Sequence, residues 1–270
     1  MATPNPSAFL WESQFAREVQ DRILPSTRPF IPNLDYYSDS RRAHRLNTDY
    51  LDYFEVNTHL CLAIGDVQGS GLHSALLTAS LHSIVRALRS AWTGSLANFV
   101  ASVDELFREV CPDDCHTSLF VARYDPVSGN LHYVNAGHEP PFVLRHTGRR
   151  NRTIRLEFGG PVLGLARRPS YRERVLPLNP GDLFVAYTDG VCEAASPQGE
   201  EWGWRRFFEA IQSGERLRVR DTVERVWEAV DRFTGGAAPF DDMTLWMARV
   251  DEADSRPLPR RAESLELVAA

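Results

Sequence analysis

Two short apolar runs in this chain end in the same way, on an acid with glycine beside it. Residues 60–64 run into Gly65-Asp66-Val67-Gln68-Gly69-Ser70-Gly71, and residues 183–187 run into Thr188-Asp189-Gly190. A strand that stops on a carboxylate among residues without side chains aims that carboxylate and bare backbone out of the fold; here the first is followed by a helix-periodic segment. Two more acids stand at comparable junctions: Asp49 at the head of an aromatic-rich segment, and Asp241 shortly before a final apolar run at 245–250. Singly, each has an ordinary explanation: Asp49 and Asp182 as turn formers, Asp189 as an Asx turn before Gly190, Asp241 as a cap. Four such junctions in one chain point instead to a shared site.

The segments between these junctions set the architecture. Strand patterns cover 34–37, 47–56, 60–65, 117–124, 131–134, 142–145, 153–158, 171–178, 183–187 and 245–250, with turn chemistry such as Asn179-Pro180-Gly181-Asp182 between them. Antiparallel pairing of 47–56 with 60–65 brings Asp49 and Asp66 together. Helical periodicity covers 7–24, where Trp11, Phe15, Val19 and Ile23 form a stripe, and then two helices after Leu72. The first of these reads as a small-residue face of Leu76, Ala79, Ser83, Ile84, Ala87 and Leu88. The second carries Leu96, Phe99, Val100, Val103, Leu106, Phe107 and Val110, and further helices lie near 202–212 and 219–233. Strand runs alternating with helix pairs predict an α+β layered domain with mostly antiparallel sheets. The expected organisation is an N-terminal amphipathic helix and linker (1–33), one domain (34–250) with a loop or flap at 159–170, and a disordered tail (251–270).

Composition narrows the function. With 43% hydrophobic residues in 270, the chain can bury a real core, and 30 basic against 36 acidic residues give a net charge of −6 with no nucleic-acid footprint. The N-terminus lacks a cationic, apolar leader, and no apolar run reaches the length of a membrane span, so a cytoplasmic protein is expected. Cys61, Cys111, Cys115 and Cys192 are scattered; Cys111 and Cys115 have no second pair at ligand spacing, and all four are expected to be reduced.

Four carboxylates converging in one pocket repel one another unless divalent cations compensate them. All-oxygen ligation favours Mg²⁺ or Mn²⁺, and an ion pair of this kind activates water and clamps a phosphoryl group. The chemistry suggested is phosphate-ester hydrolysis.

Gly65-Asp66-Val67-x-Gly69-x-Gly71, Asn135-Ala136-Gly137-His138-x-Pro140-Pro141, Tyr187-Thr188-Asp189-Gly190-Val191-x-Glu193-Ala194 and Asp241-Asp242-x-Thr244 resemble, in order and spacing, the motifs of PPM-type metal-dependent serine/threonine phosphatases. Thr48-Asp49-Tyr50-x-Asp52-Tyr53-Phe54 resembles the Gly-Gly-Asp-x-x-Asp-Phe motif of the bacterial sporulation and stress-response (SpoIIE/RsbU-like) branch, and Ile23-Leu24-Pro25 is similar to the end of its N-terminal helix. The resemblance covers residues 12–250. It implies an α-β-β-α sandwich of two antiparallel sheets flanked by helix pairs, with two Mn²⁺ or Mg²⁺ ions at one end. Asp66 would bridge both ions, the Val67 carbonyl would join one, and Asp189 and Asp241 would hold the other; Asp49 would act directly or through water. Asp66, Asp189 and Asp241 are thus the candidate catalytic residues, with metal-activated water as nucleophile. The implied substrate is phosphoserine or phosphothreonine on a small STAS-type anti-anti-sigma protein.

Two positions depart from the pattern: Ser70 stands where the branch has His, and Thr48, where it has Gly, adds bulk beside Asp49. They keep open a degenerate phosphatase fold that binds a phosphoprotein without hydrolysing it, and a small phosphorylated metabolite is a third possible substrate. His138 either shapes its loop or touches substrate, Glu193 reads as a supporting residue, and Trp11 with Phe15 offers a homodimer or switch surface.

Overall fold

The two sheets that the resemblance implies form, and they stack face to face. The computed structural model describes residues 6–25, 27–112, 115–147, 150–214 and 217–251, without the side chains of 6–13, 147, 150 and 151. In chain order the elements are α1 (Pro6–Ile23), β1 (Leu34–Arg41), β2 (Asp49–Val56), β3 (His59–Val67), α2 (Leu72–Ala87), α3 (Leu96–Val110), β4 (Thr117–Asp125), β5 (Asn130–Ala136), β6 (Phe142–Thr147), β7 (Arg150–Arg155), β8 (Gly159–Gly160), β9 (Arg174–Pro177), β10 (Leu183–Tyr187), α4 (Gly190–Glu193), α5 (Gly203–Ser213), α6 (Val219–Thr234) and β11 (Met243–Val250). One sheet has the order β1-β11-β10-β6-β7, the other β2-β3-β4-β5-β8 with β9 also on β5. All pairs are antiparallel except β5–β8, where Gly159 and Gly160 run parallel to Asn135 and Ala136. The expected loop at 159–170 therefore begins as a short strand.

Strand alternation sorts the apolar residues into three layers. Leu62, Ile64, Phe120, Tyr133, Val143, Phe184 and Trp246 face inward between the sheets. The opposite faces of β3, β4 and β5, including Ala63, Val121 and Val134, are covered by α2 and α3; those of β6, β10 and β11, including Leu144, Val185 and Met247, are covered by α5 and α6. This is the α-β-β-α sandwich. Burial on both faces explains why these strands read as continuous apolar runs.

Two helices differ from their sequence reading. α2 buries Ala75, Leu77, Thr78, Leu81 and Val85, not the face through Ala79 and Ser83, and Leu76 is 60% exposed. On α1, Phe15 and Val19 are exposed, and the buried contact is the polar Gln20. Its side-chain amide donates to the Asn47 carbonyl (2.7 Å) and its carbonyl oxygen accepts from the Asn47 N–H (2.9 Å), while Asp21 pairs with Arg42. The Trp11 side chain and the tail from residue 252 lie outside the described residues. Among the described residues no helix is long and apolar enough to cross a membrane.

Candidate active site

At one end of the inter-sheet layer, polar residues take over the inward register. On β11, Val250, Ala248 and Trp246 are followed by Thr244; on β4, Tyr124, Ala122 and Phe120 by Ser118; on β3, Leu60, Leu62 and Ile64 by Asp66. Asp49 extends the inward row of β2 beyond Leu51, and Thr188 extends that of β10 beyond Ala186. The period-two alternation that builds the core thus also aims these five side chains into the gap between the sheets.

Asp49 and Asp66 are directly opposite each other across the β2–β3 ladder, the juxtaposition that hairpin pairing predicts. Asp49 is buried, and its Oδ2 accepts from the hydroxyls of Thr244 (2.6 Å) and Thr188 (2.8 Å), both from the other sheet. Burial raises its pKa well above the carboxylate range, and Asp66 and Asp242 add to this against the pull of the two hydroxyls. Val67, at the end of β3, donates its N–H to the Thr48 carbonyl (3.3 Å).

The other acids come from loops. Asp189 caps α4 by accepting from the Gly190 N–H (2.9 Å), and Asp241 accepts from the Asp242 N–H (2.7 Å). Gly190 lets these loops touch: a methyl group there would lie 2.1 Å from the Asp242 carbonyl oxygen. The Asp66 carboxyl is pushed up to about 7 by burial and then by Asp189, Asp241, Asp242 and Glu193, with no cation opposing them. Burial also raises Asp189, with Asp241 adding, and Glu193, with Asp189, Glu201 and Asp241 adding. Among the described residues, no three acidic, histidine or thiol groups close around a common point at ligating distance. The acids converge as mutually repelling neighbours, and two of them spend an oxygen on backbone N–H groups.

Asp242 matters as much as its neighbour, and local pattern gave no reason to single it out. It is buried and accepts from the Ala43 N–H (2.8 Å), the Thr48 N–H (2.7 Å) and the Thr48 hydroxyl (3.2 Å). The side chain at position 48 is therefore used, and Asp49 keeps its register. Asp52, three residues on, faces the other way into a bidentate contact with Arg86 of α2 (2.5 Å each).

His138 is buried between the sheets. Its Nε2 lies 3.1 Å from the Tyr187 carbonyl and its Nδ1 2.9 Å from Ser118 Oγ, which itself accepts from the Asp66 N–H (3.1 Å). A carbonyl only accepts, so Nε2 carries the proton and Nδ1 accepts from the serine hydroxyl. Burial lowers the His138 pKa to about 4 and keeps it neutral. Both ring nitrogens are occupied, so His138 shapes the site by tying Tyr187 on one sheet to Asp66 on the other. The Asn135 side chain holds its loop by accepting from the His138 N–H (2.8 Å) and donating to the His138 carbonyl (3.0 Å). A cleft of about 290 Å³ opens here, lined by Asp66, Ser118, His138, Glu139, Val162 and Asp189. Ser70 is exposed on the adjoining loop. A larger groove of about 630 Å³ between α5 and α6 shares no residue with this cleft.

The family model described as stage II sporulation protein E (SpoIIE) matches residues 57–251. The chain belongs to the SpoIIE family. Within it, the chain is similar to protein IcfG of Synechocystis sp., 26% identical over 87% of this chain and 40% of IcfG. It is likewise 26% identical to phosphoserine phosphatase RsbU of Bacillus subtilis, over 70% of this chain and 55% of RsbU. The chain thus spans about half the length of these curated relatives. Among solved structures, the SiaA-PP2C domain of Pseudomonas aeruginosa superposes with a TM-score of 0.75 at 20% identity, covering 91% of this chain and 98% of that domain. The catalytic domain of serine/threonine phosphatase PstP, solved with two manganese ions, superposes with a TM-score of 0.55 at 18% identity over 81% of this chain and 99% of that domain. The SpoIIE-family fold described above is therefore that of PP2C phosphatases, in the PPM-type, RsbU-like branch.

Proposed function

We propose that this chain is a metal-dependent phosphoprotein phosphatase that hydrolyses phosphoserine or phosphothreonine on a small regulatory protein of the anti-anti-sigma type, in stress-response signalling in the cytoplasm. The observation that carries the reading is the gathering of Asp66 and Asp189 on one cleft, with Asp241 close enough to repel both, where burial first and then the neighbouring acids push the Asp66 carboxyl up to about 7. Such a cluster is stabilised by hard divalent cations and by little else in a cell. The donor set fits Mn²⁺ or Mg²⁺: carboxylates of Asp66, Asp189 and Asp241, with the Val67 carbonyl and Asp49 beneath them, would hold two ions. PstP, with the same fold, was solved with two manganese ions.

When bound, the ions would supply a water acidic enough to attack at neutral pH and would offset charge on the phosphoryl oxygens. The chain's own residues do the rest. Thr188 and Thr244 hold Asp49 in place, neutral His138 fixes the Asp66 backbone through Ser118, and Thr48 holds Asp242, the residue next to Asp241. RsbU, named a phosphoserine phosphatase, supports the choice of phosphoserine. Exposed Phe15 on α1 supports a homodimer through that helix.

The test is hydrolysis of para-nitrophenyl phosphate with Mn²⁺, with Mg²⁺ and with chelator, beside Asp66→Asn. Metal-dependent turnover that falls on the order of 10³-fold in the variant is expected. No turnover, despite metal binding seen by calorimetry, would overturn the reading and leave a phosphoprotein-binding module.

A further inference from the structure

Residues 145–174 contain nine arginines, two glutamates and no lysine or aspartate, a local charge of +7 in a chain that totals −6. Several of the described ones stand along one side of the sandwich. β7 is the edge of one sheet, and β9 lies on β5 at the matching edge of the other. Ile154 on β7, Phe158 after it and Leu176 on β9 close the inter-sheet core between them. Outside this apolar seam stand the guanidinium groups: Arg172 and Arg174 lie 5.0 and 4.4 Å over the Phe158 ring. Arg145 spans the seam by donating to Asp182 and to the Pro177 carbonyl (2.6 Å each).

Exposed Arg167 and Arg168 stand on the loop that carries Val162, a wall of the cleft, where Leu163 bridges Thr117 of β4. That loop is tied down: Asp104 accepts from the Gly164 N–H (2.8 Å), and Arg108 donates to the carbonyls of Ala166 (3.1 Å) and Arg167 (3.3 Å). On the cleft's other wall Arg155 pairs with Glu157 (2.7 Å) and reaches Glu139 (3.7 Å). Among the described residues, no carboxylate pairs with Arg152, Arg167, Arg168, Arg172 or Arg174, and all five are exposed.

We propose that these arginines, Arg152, Arg172 and Arg174 at the β7–β9 edge with Arg167 and Arg168 on the loop that walls the cleft, dock the acidic flank of the phosphoprotein substrate. The proposal rests on the phosphatase reading and adds the chemistry of the partner. An acidic flank is drawn to a surface of opposite sign, and these arginines supply one beside the cleft. Arginine matches carboxylates in forked pairs, and five exposed guanidiniums with no carboxylate partner among the described residues raise the encounter rate. Blunting of sheet edges by charge accounts for Arg152 and Arg174, but not for two arginines on a loop held in place by Asp104 and Arg108.

The test compares wild type with the triple variant Arg152→Glu, Arg167→Glu, Arg168→Glu, and with the Arg→Gln triple should the first fold poorly. Three substrates are used with Mn²⁺: para-nitrophenyl phosphate, a phosphoserine peptide flanked by Asp and Glu, and the same peptide flanked by Asn and Gln. Fluorescence anisotropy of the acidic peptide reads binding without turnover. The expected result is a loss of about tenfold or more in kcat/KM for the acidic peptide, carried by KM and flattened against salt, with the other two substrates within about twofold of wild type. Unchanged kinetics on the acidic peptide, or equal losses on both peptides, would overturn it. So would tighter wild-type binding to duplex DNA or phosphatidylserine vesicles that the variant loses. Absence of wild-type turnover on para-nitrophenyl phosphate would sink the phosphatase reading alone, since anisotropy still decides docking.

Discussion

The two ends of the inter-sheet layer are built on one register and do opposite things. Phe120, Phe184 and Trp246 fill the middle and far part with fully interlocked rings, Phe184 and Trp246 having centroids 5.2 Å apart. Further along the same strands stand Ser118 and Thr244, one inward position on, and Thr188, beyond Ala186. The apolar end gains stability from area removed from water. The polar end buries Asp49 and crowds Asp66 with like charge, which costs stability. The sandwich tolerates the second because the first is large, and the rigid strands hold the acids where a flexible loop would let them separate.

This contrast breaks most visibly at Phe120, which is fully buried between Tyr133 and Phe184. Phe120→Ala should cost about 3–5 kcal/mol in denaturant unfolding while leaving activity per folded molecule within a few fold. Loss of activity without loss of stability would mean that the two ends are not separable.

Thr188→Val is the converse and the next largest effect. It keeps the shape but removes the hydroxyl that reaches Asp49 and that accepts from the Thr244 N–H (2.9 Å). Activity should fall about 10–100-fold, with a stability cost of about 1–2 kcal/mol. Kinetics and melts on the same preparation read both, and a purely structural role would leave kcat untouched.

The strand acids were legible because alternation and an abrupt acid are local signals: hairpin pairing alone puts Asp49 opposite Asp66. The helix faces were not. α2 carries Leu72, Ala75, Leu76, Leu77, Leu81, Ile84 and Val85 around most of its circumference, so no single stripe marks the buried side, and only docking against β2 and β3 selects it. Gln20 carries no such signal, since a polar residue on an amphipathic helix reads as solvent-facing; its partners are backbone groups at Asn47. The bonds joining Thr48 to Asp242 and His138 to Tyr187 link positions far apart in the chain, which periodicity cannot see. The arginine edge was hidden in the totals, because acids elsewhere outweigh it and the pairing of β9 with β5 is what brings its parts together.

The smallest effect sharpens the comparison most, because it reads the strain at the polar end directly. In the metal-free protein the Asp66 carboxyl titrates at about 7, against 3.8 when unhindered. The folded state therefore holds this proton more tightly than the unfolded state, and the stability it contributes is full below about pH 4 and is lost as pH rises through 7. Three units would amount to about 4 kcal/mol, and screening of this partly exposed group by water in the cleft reduces the expectation to about 1–2 kcal/mol. His138 runs the other way: with its pKa lowered from 6.5 to about 4, its contribution is full above pH 6.5 and is lost as pH falls. The two oppose each other between pH 4 and 6.5, so the informative quantity is the difference between wild type and Asp66→Asn in chelator. That difference should favour the variant at pH 8, vanish below about pH 4, and turn in favour of wild type when saturating Mn²⁺ is added at pH 8, since only the wild type has the carboxylate the ion would replace the proton on. Unfolding curves with the same pH dependence in both proteins would show that the charge strain of the polar end resides elsewhere than at Asp66.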